Sequence, residues 1–205
     1  MTIKENKRAR GRPRQFILED AVQVGQHLFH EHGYENVSVA SLTEAIGITA
    51  PSFYTAFGSK GAFFNDALRH YSATVVPLDT FLVPDKPLLT VLKDMLRAAA
   101  HAYAAHPNRR GCFILEHAKA GATESGVAAK RIADENRAKV MTFLEASGIP
   151  AAGHVVDYVS ATMLGLSAAA KEGWDEQRLL AVVETAAVGL GHLVGSDQFI
   201  PERSS

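Results

Sequence analysis

The apolar positions of the chain recur at intervals of three and four, and glycines and prolines cut that rhythm into helix-length pieces. From Phe16 to His32, Ile17, Ala21, Val24, Gly25 and Leu28 form one stripe with Phe29 beside it, and Gly33 ends the run. Tyr34 to Val37 reads as a loop. Val39, Leu42, Ala45 and Ile46 share a face behind Ser38, whose hydroxyl suits the free N–H groups of a helix start. Gly47 supplies the left-handed C-cap that a Cβ would disfavour. Thr49 then caps a seven-residue helix with Pro51 in its first turn, where a missing N–H costs nothing. Phe53 and Phe57, four apart, point inward with Ile48, which leaves Ala50, Ser52, Tyr54 and Thr55 outward or on the flanks. A further helix from Ser59 to about Val76 places Phe63, Phe64, Ala67, Leu68 and Tyr71 on one face, and Pro77 stops it.

Residues 77–87 hold three prolines and read as a connector. Every later segment is helical in pattern. Leu88, Leu92, Met95, Leu96, Ala99, Ala102 and Tyr103 make a stripe that Pro107 terminates, and a short helix follows from about Gly111 to Lys119. Residues 125–147 turn Ala129, Ile132, Ala133, Val140, Phe143 and Leu144 inward. The segments 153–172 and 175–194 differ in kind, because their apolar residues spread around most of the circumference. Such helices need cover on most sides, and small residues such as Ala161, Ala168, Gly189 and Gly191 permit close approach. The pattern predicts a four-helix interface between two copies of the chain; a buried central hairpin in a monomer is the alternative. The predicted class is all-α: a flexible arm over 1–15, a three-helix unit with its linker helix over 16–76, and a helical ligand-binding and dimerisation domain over 77–205.

Composition adds three bounds. With 205 residues and 47% hydrophobic content the chain can bury a sizeable core. Its 21 Lys and Arg against 22 Asp and Glu give no global field, yet Lys4, Lys7, Arg8, Arg10, Arg12 and Arg14 oppose only Glu5 in the arm. That arm can follow phosphates or enter a minor groove, or it can be a solvated tail. The lone Cys112 precludes an intrachain disulfide, and neither a membrane-spanning run nor a signal-peptide core is evident, so a cytoplasmic protein is expected.

The stretch Ser38 to Lys60 carries the chemistry. Helix, tight turn and helix, with small and hydroxylated side chains outward, suits insertion into a DNA major groove, although a helical hairpin in an unrelated core has the same outline. Lys60 lies in the first turn of its helix, where a cation opposes the macrodipole, and a phosphate would balance it. Double-stranded DNA is the partner that this combination predicts.

Taken together, GRPR at 11–14 and the run LFHEHGYENVSVASLTEAIGITAPSFYTAFGSKGAFF resemble the tetracycline-repressor (TetR) family of transcriptional regulators. The distinctive positions are Gly33-Tyr34, Ser38, Ile46-Gly47-Ile48, Ser52, Tyr54, Phe57 and Lys60. The resemblance reaches to about Tyr71 and implies a homodimer on a palindromic operator, usually a repressor released by a small molecule. By position it implies that Tyr54 and Lys60 grip phosphates, that Ser38 touches the backbone, and that Thr49, Ala50, Ser52 and Thr55 face the groove, with Arg10, Arg12 and Arg14 in the arm. Gly61 departs from the pattern, since an acidic residue is common there, and Ala50 and Ala56 replace longer base-reading side chains. Methyl contacts, DNA shape and the arm would then carry more of the recognition.

Effector candidates are the large or polar-tipped residues on inward faces: Met95, Tyr103, Phe113, His117, Met141, Tyr158 and Trp174, each also ordinary core material. Cys112 reads first as a small buried hydrophobe; because it follows Arg109-Arg110-Gly111 at a helix start, where cations and dipole would lower a thiol pKa, a redox or electrophile sensor is the alternative. His27, His30 and His32 straddle different faces, and Cys112 and His117 are five apart, so no metal site and no cofactor is predicted. Glycine-rich phosphate loops, nucleophile elbows and His-Glu zinc motifs are missing from the sequence, which argues against an enzyme. A helical interaction module with a retired helix-turn-helix is the remaining alternative.

Overall fold

The computed structural model describes residues 14–84 and 86–195, with side chains from residue 18 onward. Among these residues ten helices follow one another: α1 (Arg14–His32), α2 (Val39–Ile46), α3 (Ala50–Phe57), α4 (Lys60–Thr74), α5 (Leu78–Phe81), α6 (Leu88–Ala104), α7 (Phe113–Ala118), α8 (Glu124–Ala146), α9 (Ala152–Lys171) and α10 (Glu176–Leu193). The four-residue α5 falls inside the proline-rich connector and has no periodicity of its own to announce it. None of the helices is long and apolar enough to cross a membrane. The arm that carries Arg10 and Arg12 lies outside the described residues, as does the side chain of Arg14.

Aromatic rings hold α1 to α4 together. Phe29, Phe53, Phe63 and Phe64 are all essentially inaccessible to solvent, and burial of each ring stabilises by roughly 1.5–3 kcal/mol. Phe29 meets Phe64 edge-on at 5.1 Å, while Phe63 meets Phe53 at 5.1 Å and Phe57 at 4.5 Å. Gly25 belongs to the inner stripe for a specific reason: a Cβ there would stand 2.1 Å from Cε1 of Phe63. The missing side chain is the room the ring occupies. Ala45, assigned inward by the sequence pattern, is exposed instead, because α2 is short and only Leu42 and Thr43 are fully covered.

Beyond α5, α6 packs against α9 and α10, and α8 runs alongside α4, α7 and α9. The inner faces of α9 and α10 bury Val155, Val156, Val159 and Leu166, and Leu179, Val183 and Leu190. At Gly189 a Cβ would lie 2.6 Å from the Tyr158 hydroxyl, so the two helices cross closely at that point. Their outer faces keep Leu164, Val182 and Val188 exposed, at 44%, 37% and 42%. Half of the exposed large apolar side chains in the described residues therefore lie on these two helices, which explains why these two segments are apolar nearly all round.

Candidate nucleic-acid interface and inter-helix cavity

The ends of α2 and α3 are built by local hydrogen bonds. Ser38 Oγ accepts from the Ser41 amide at 3.0 Å, and Ser41 Oγ accepts from the Ser38 amide at 3.0 Å, which closes a capping box with serine in the usual place of a glutamate. Gly47 follows with φ of +76°, the left-handed turn between the helices. Thr49 Oγ1 accepts from the Ser52 amide at 3.4 Å and lies 2.9 Å from Ser52 Oγ. With Phe53 buried and Phe57 half-buried, α3 turns Ala50, Ser52, Tyr54, Thr55 and Ala56 to solvent. Tyr54 is half exposed although its ring meets Phe53 edge-on. The Thr55 hydroxyl donates to the Pro51 carbonyl at 2.8 Å, leaving its lone pairs and methyl group for an incoming partner.

Lys60 opens α4 beside this edge. Its Nζ sits 4.0 Å from the centroid of the Tyr34 ring, a cation–π contact that steadies a charge in an unfavourable place at a helix N-terminus. Tyr34 in turn donates its phenol proton to Glu124 Oε2 at 2.5 Å. Burial first, and then the adjacent Glu124 carboxylate, push the Tyr34 phenol well above its ordinary range. Neither Tyr34 as support nor Glu124 as its partner was legible as a site residue; Tyr34 entered only as part of the Gly33-Tyr34 pattern, and Glu124 carries no local signal.

A cavity of about 270 Å³ lies behind the helix-turn-helix, between α4, α6, α7, α8 and α9. Its wall is mostly apolar, with Met95, Tyr103, Ile114, Val140, Val156 and Met163, and a polar side formed by Ser72, Asn136, Arg137 and Ser160. Ser72 donates to Asn136 Oδ1 at 3.1 Å, and the Arg137 guanidinium is held by Asp157 and by Ser160 Oγ at 3.1 Å. Its cation is thus already neutralised.

Of the effector candidates, Met95 and Tyr103 stand in this wall. The others lie elsewhere. Phe113 is locked among the rings of His30, Phe64 and Tyr71, and His117 donates from Nδ1 to the Phe113 carbonyl at 2.9 Å while packing on Phe64. Met141 is half-buried core filler. Tyr158 and Trp174 line the open groove between α9 and α10, where the Arg178 guanidinium lies 3.8 Å from the Trp174 ring centroid. Helical spacing placed all of these inward, but it does not distinguish the inside of a core from the inside of a cavity.

Cys112 fits the small buried hydrophobe and not the activated thiol. It is indeed the N-cap of α7, yet it is 6% exposed, and burial pushes its thiol above the ordinary range instead of lowering it. One of the cations expected to activate it is engaged otherwise: Arg110 donates to the Trp174 carbonyl at 2.8 Å. No group of three His, Cys, Asp or Glu converges among the described residues. His30 is wedged edge-on to Tyr71 with its Nε2 unpartnered, and burial followed by the charge of Lys171 pushes its pKa down to about 4.

A capped, solvent-open short helix after a glycine turn, flanked by a supported lysine, defines the chain as a helix-turn-helix DNA-binding protein. Residues 21–67 match the model of the bacterial regulatory proteins of the tetR family. The chain is 34% identical to the HTH-type transcriptional repressor BdcR of Escherichia coli (strain K12) over 187 residues, 91% of this chain and 95% of that one. It is 28% identical to the HTH-type transcriptional repressor ComR of the same organism, covering 87% and 91%. Among solved structures, the TetR family transcriptional regulator CifR, a cysteine mutant complexed with a 26 bp operator duplex, superposes with a TM-score of 0.70 at 28% identity over 88% of this chain and 98% of that one. The chain belongs to the TetR family and is a DNA-binding transcriptional regulator.

Proposed function

We propose that the chain is a cytoplasmic repressor that grips a palindromic operator as a homodimer and lets go when a small molecule fills the cavity. The observation that carries this is the span of α4. Its first residue, Lys60, flanks the recognition helix, while Tyr71 and Ser72 near its other end wall the cavity. At 1.5 Å per residue the two ends lie roughly 16 Å apart on one rigid rod, so pressure in the cavity reaches the DNA-facing edge without any intermediary.

In this reading Ser52, Thr55, Thr49 and Ala50 meet base edges or sugar, Tyr54, Lys60 and Ser38 meet phosphates, and the arm residues Arg10, Arg12 and Arg14 add backbone or minor-groove contacts. The similar CifR complex, solved on a 26 bp duplex, supports that mode of binding. The dimer forms through the outer faces of α9 and α10, where Leu164, Val182 and Val188 would otherwise remain in water. It must hold the two recognition helices roughly 34–36 Å apart, one turn of DNA. Because the two charged residues of the lining are already paired, Arg137 with Asp157 and Asp134 with Lys130, the effector is an uncharged, mainly apolar molecule with one hydrogen-bonding group for Ser72 or Asn136. Ligand and operator then weaken each other by the same factor. The thiol-switch alternative is disfavoured by the burial of Cys112.

The test is a titration by fluorescence anisotropy of a duplex enriched by the protein from a random-sequence library, with light scattering for mass. A dimer that binds a two-fold symmetric duplex, and that neutral apolar compounds displace, is the expected result. A monomer on the DNA, or a compound that binds the cavity and leaves operator affinity unchanged, refutes the proposal.

A further inference from the structure

We infer that Glu124, in the first turn of α8, is a positioning residue for Lys60, acting through Tyr34. The inference rests on the reading of Lys60 as a phosphate contact.

Three observations converge on it. The Tyr34 ring is fixed, 7% exposed, stacked on Phe29 at 5.8 Å and edge-on to Phe64 at 4.9 Å. Its hydroxyl donates to Glu124 Oε2 across ninety residues of sequence, and its face carries the Lys60 ammonium at 4.0 Å. A phenol that donates to a carboxylate is richer in electron density, which strengthens its hold on a cation.

The third observation is Gly61. A Cβ at this position would stand 2.1 Å from Glu124 Oε1, so the bare backbone admits the carboxylate to the first turn of α4. There it sets a negative charge against the positive end of the helix dipole, beside a lysine that lacks such compensation within its own helix. The acid that α4 does not carry in its first turn is delivered from α8. The same helix walls the cavity with Asn136, Arg137 and Val140, and it is tied to α4 again by Arg131 to Asn65 at 2.8 Å. Glu124 therefore lies where a displacement of α8 is felt at Lys60.

Glu124 is exposed, so its replacement leaves the fold intact, which thermal unfolding monitored by circular dichroism verifies. The probe is a fluorescein-labelled duplex enriched by the wild-type protein from a random library, titrated across a salt series. Glu124→Gln and Tyr34→Phe should each weaken binding about three- to tenfold, and the double variant no further than either alone. Lys60→Ala should weaken binding and flatten the salt dependence by about 0.9 in logarithmic slope for each phosphate that the lysine no longer neutralises. In the Lys60→Ala background, Glu124→Gln should then have no effect. Wild-type affinity for Glu124→Gln, or an equal loss with and without Lys60, overturns the inference while leaving the phosphate role of Lys60 standing. Unchanged affinity and slope for Lys60→Ala itself overturns both.

Discussion

Replacing Gly25 by alanine separates local from tertiary control of this fold. By helix propensity alone, alanine in the middle of α1 should stabilise by about 0.5–1 kcal/mol. The structure demands the opposite sign. The new Cβ would lie 2.1 Å from Cε1 and 2.5 Å from Cζ of Phe63, so the ring must retreat by more than 1 Å to reach ordinary contact. It has little room, since Phe53 and Phe57 lie 5.1 and 4.5 Å away and the ring is fully buried. Overpacking of this kind costs about 1–3 kcal/mol, which exceeds the propensity gain and leaves a net loss of about 1–2 kcal/mol. For a chain of this size that corresponds to a fall of roughly 2–8 °C in Tm. Phe63→Leu deletes the atoms that clash, so Gly25→Ala should be nearly harmless in that background, with a coupling of about 1–2 kcal/mol between the sites. Differential scanning calorimetry of the four proteins measures the cycle. A Gly25→Ala variant that melts above wild type, or two substitutions that simply add, would show that α1 and α4 do not meet as described.

Burial elsewhere in the molecule sets three further outcomes. His30 has its folded pKa depressed to about 4, below the ordinary 6.5, so the unfolded chain binds the proton first and this contribution to stability falls as pH drops through 6.5 toward 4. At pH 5 the loss is about 2 kcal/mol, and His30→Gln should flatten the corresponding part of a urea-midpoint profile between pH 8 and 5; an unaltered profile refutes the assignment. Cys112 should react with iodoacetamide much more slowly in the native protein than after unfolding, because its thiol is enclosed and its pKa raised; labelling at the rate of a free thiol would contradict that. Val188→Asp places a charge on the exposed face of α10 and should shift the protein to monomer in light scattering with little change in secondary structure, whereas an intact dimer would move the interface elsewhere.

Much of this protein was written in the order of its residues. Glycines at 33 and 47, the caps Ser38 and Thr49, and the Phe53–Phe57 pair act within one or two turns, so spacing alone delimited α1 to α4 and turned Ser52, Tyr54 and Thr55 outward. The last two helices announced a second apolar surface because no single packed face can cover residues spread all round a helix. What the sequence could not decide is everything that depends on partners distant along the chain. Periodicity labelled Phe113, Met141 and Met95 alike as inward, and only the packing of five helices separated cavity wall from solid core. Local charge kept a lowered Cys112 pKa open as an alternative, and only tertiary burial and the diversion of Arg110 to Trp174 decided its sign. Gly61 stood out only as a departure from the family pattern until the fold brought Glu124 against it. Short-range geometry is determined by neighbours within a turn, whereas burial, charge pairing and close approach are properties of surfaces that exist only after folding.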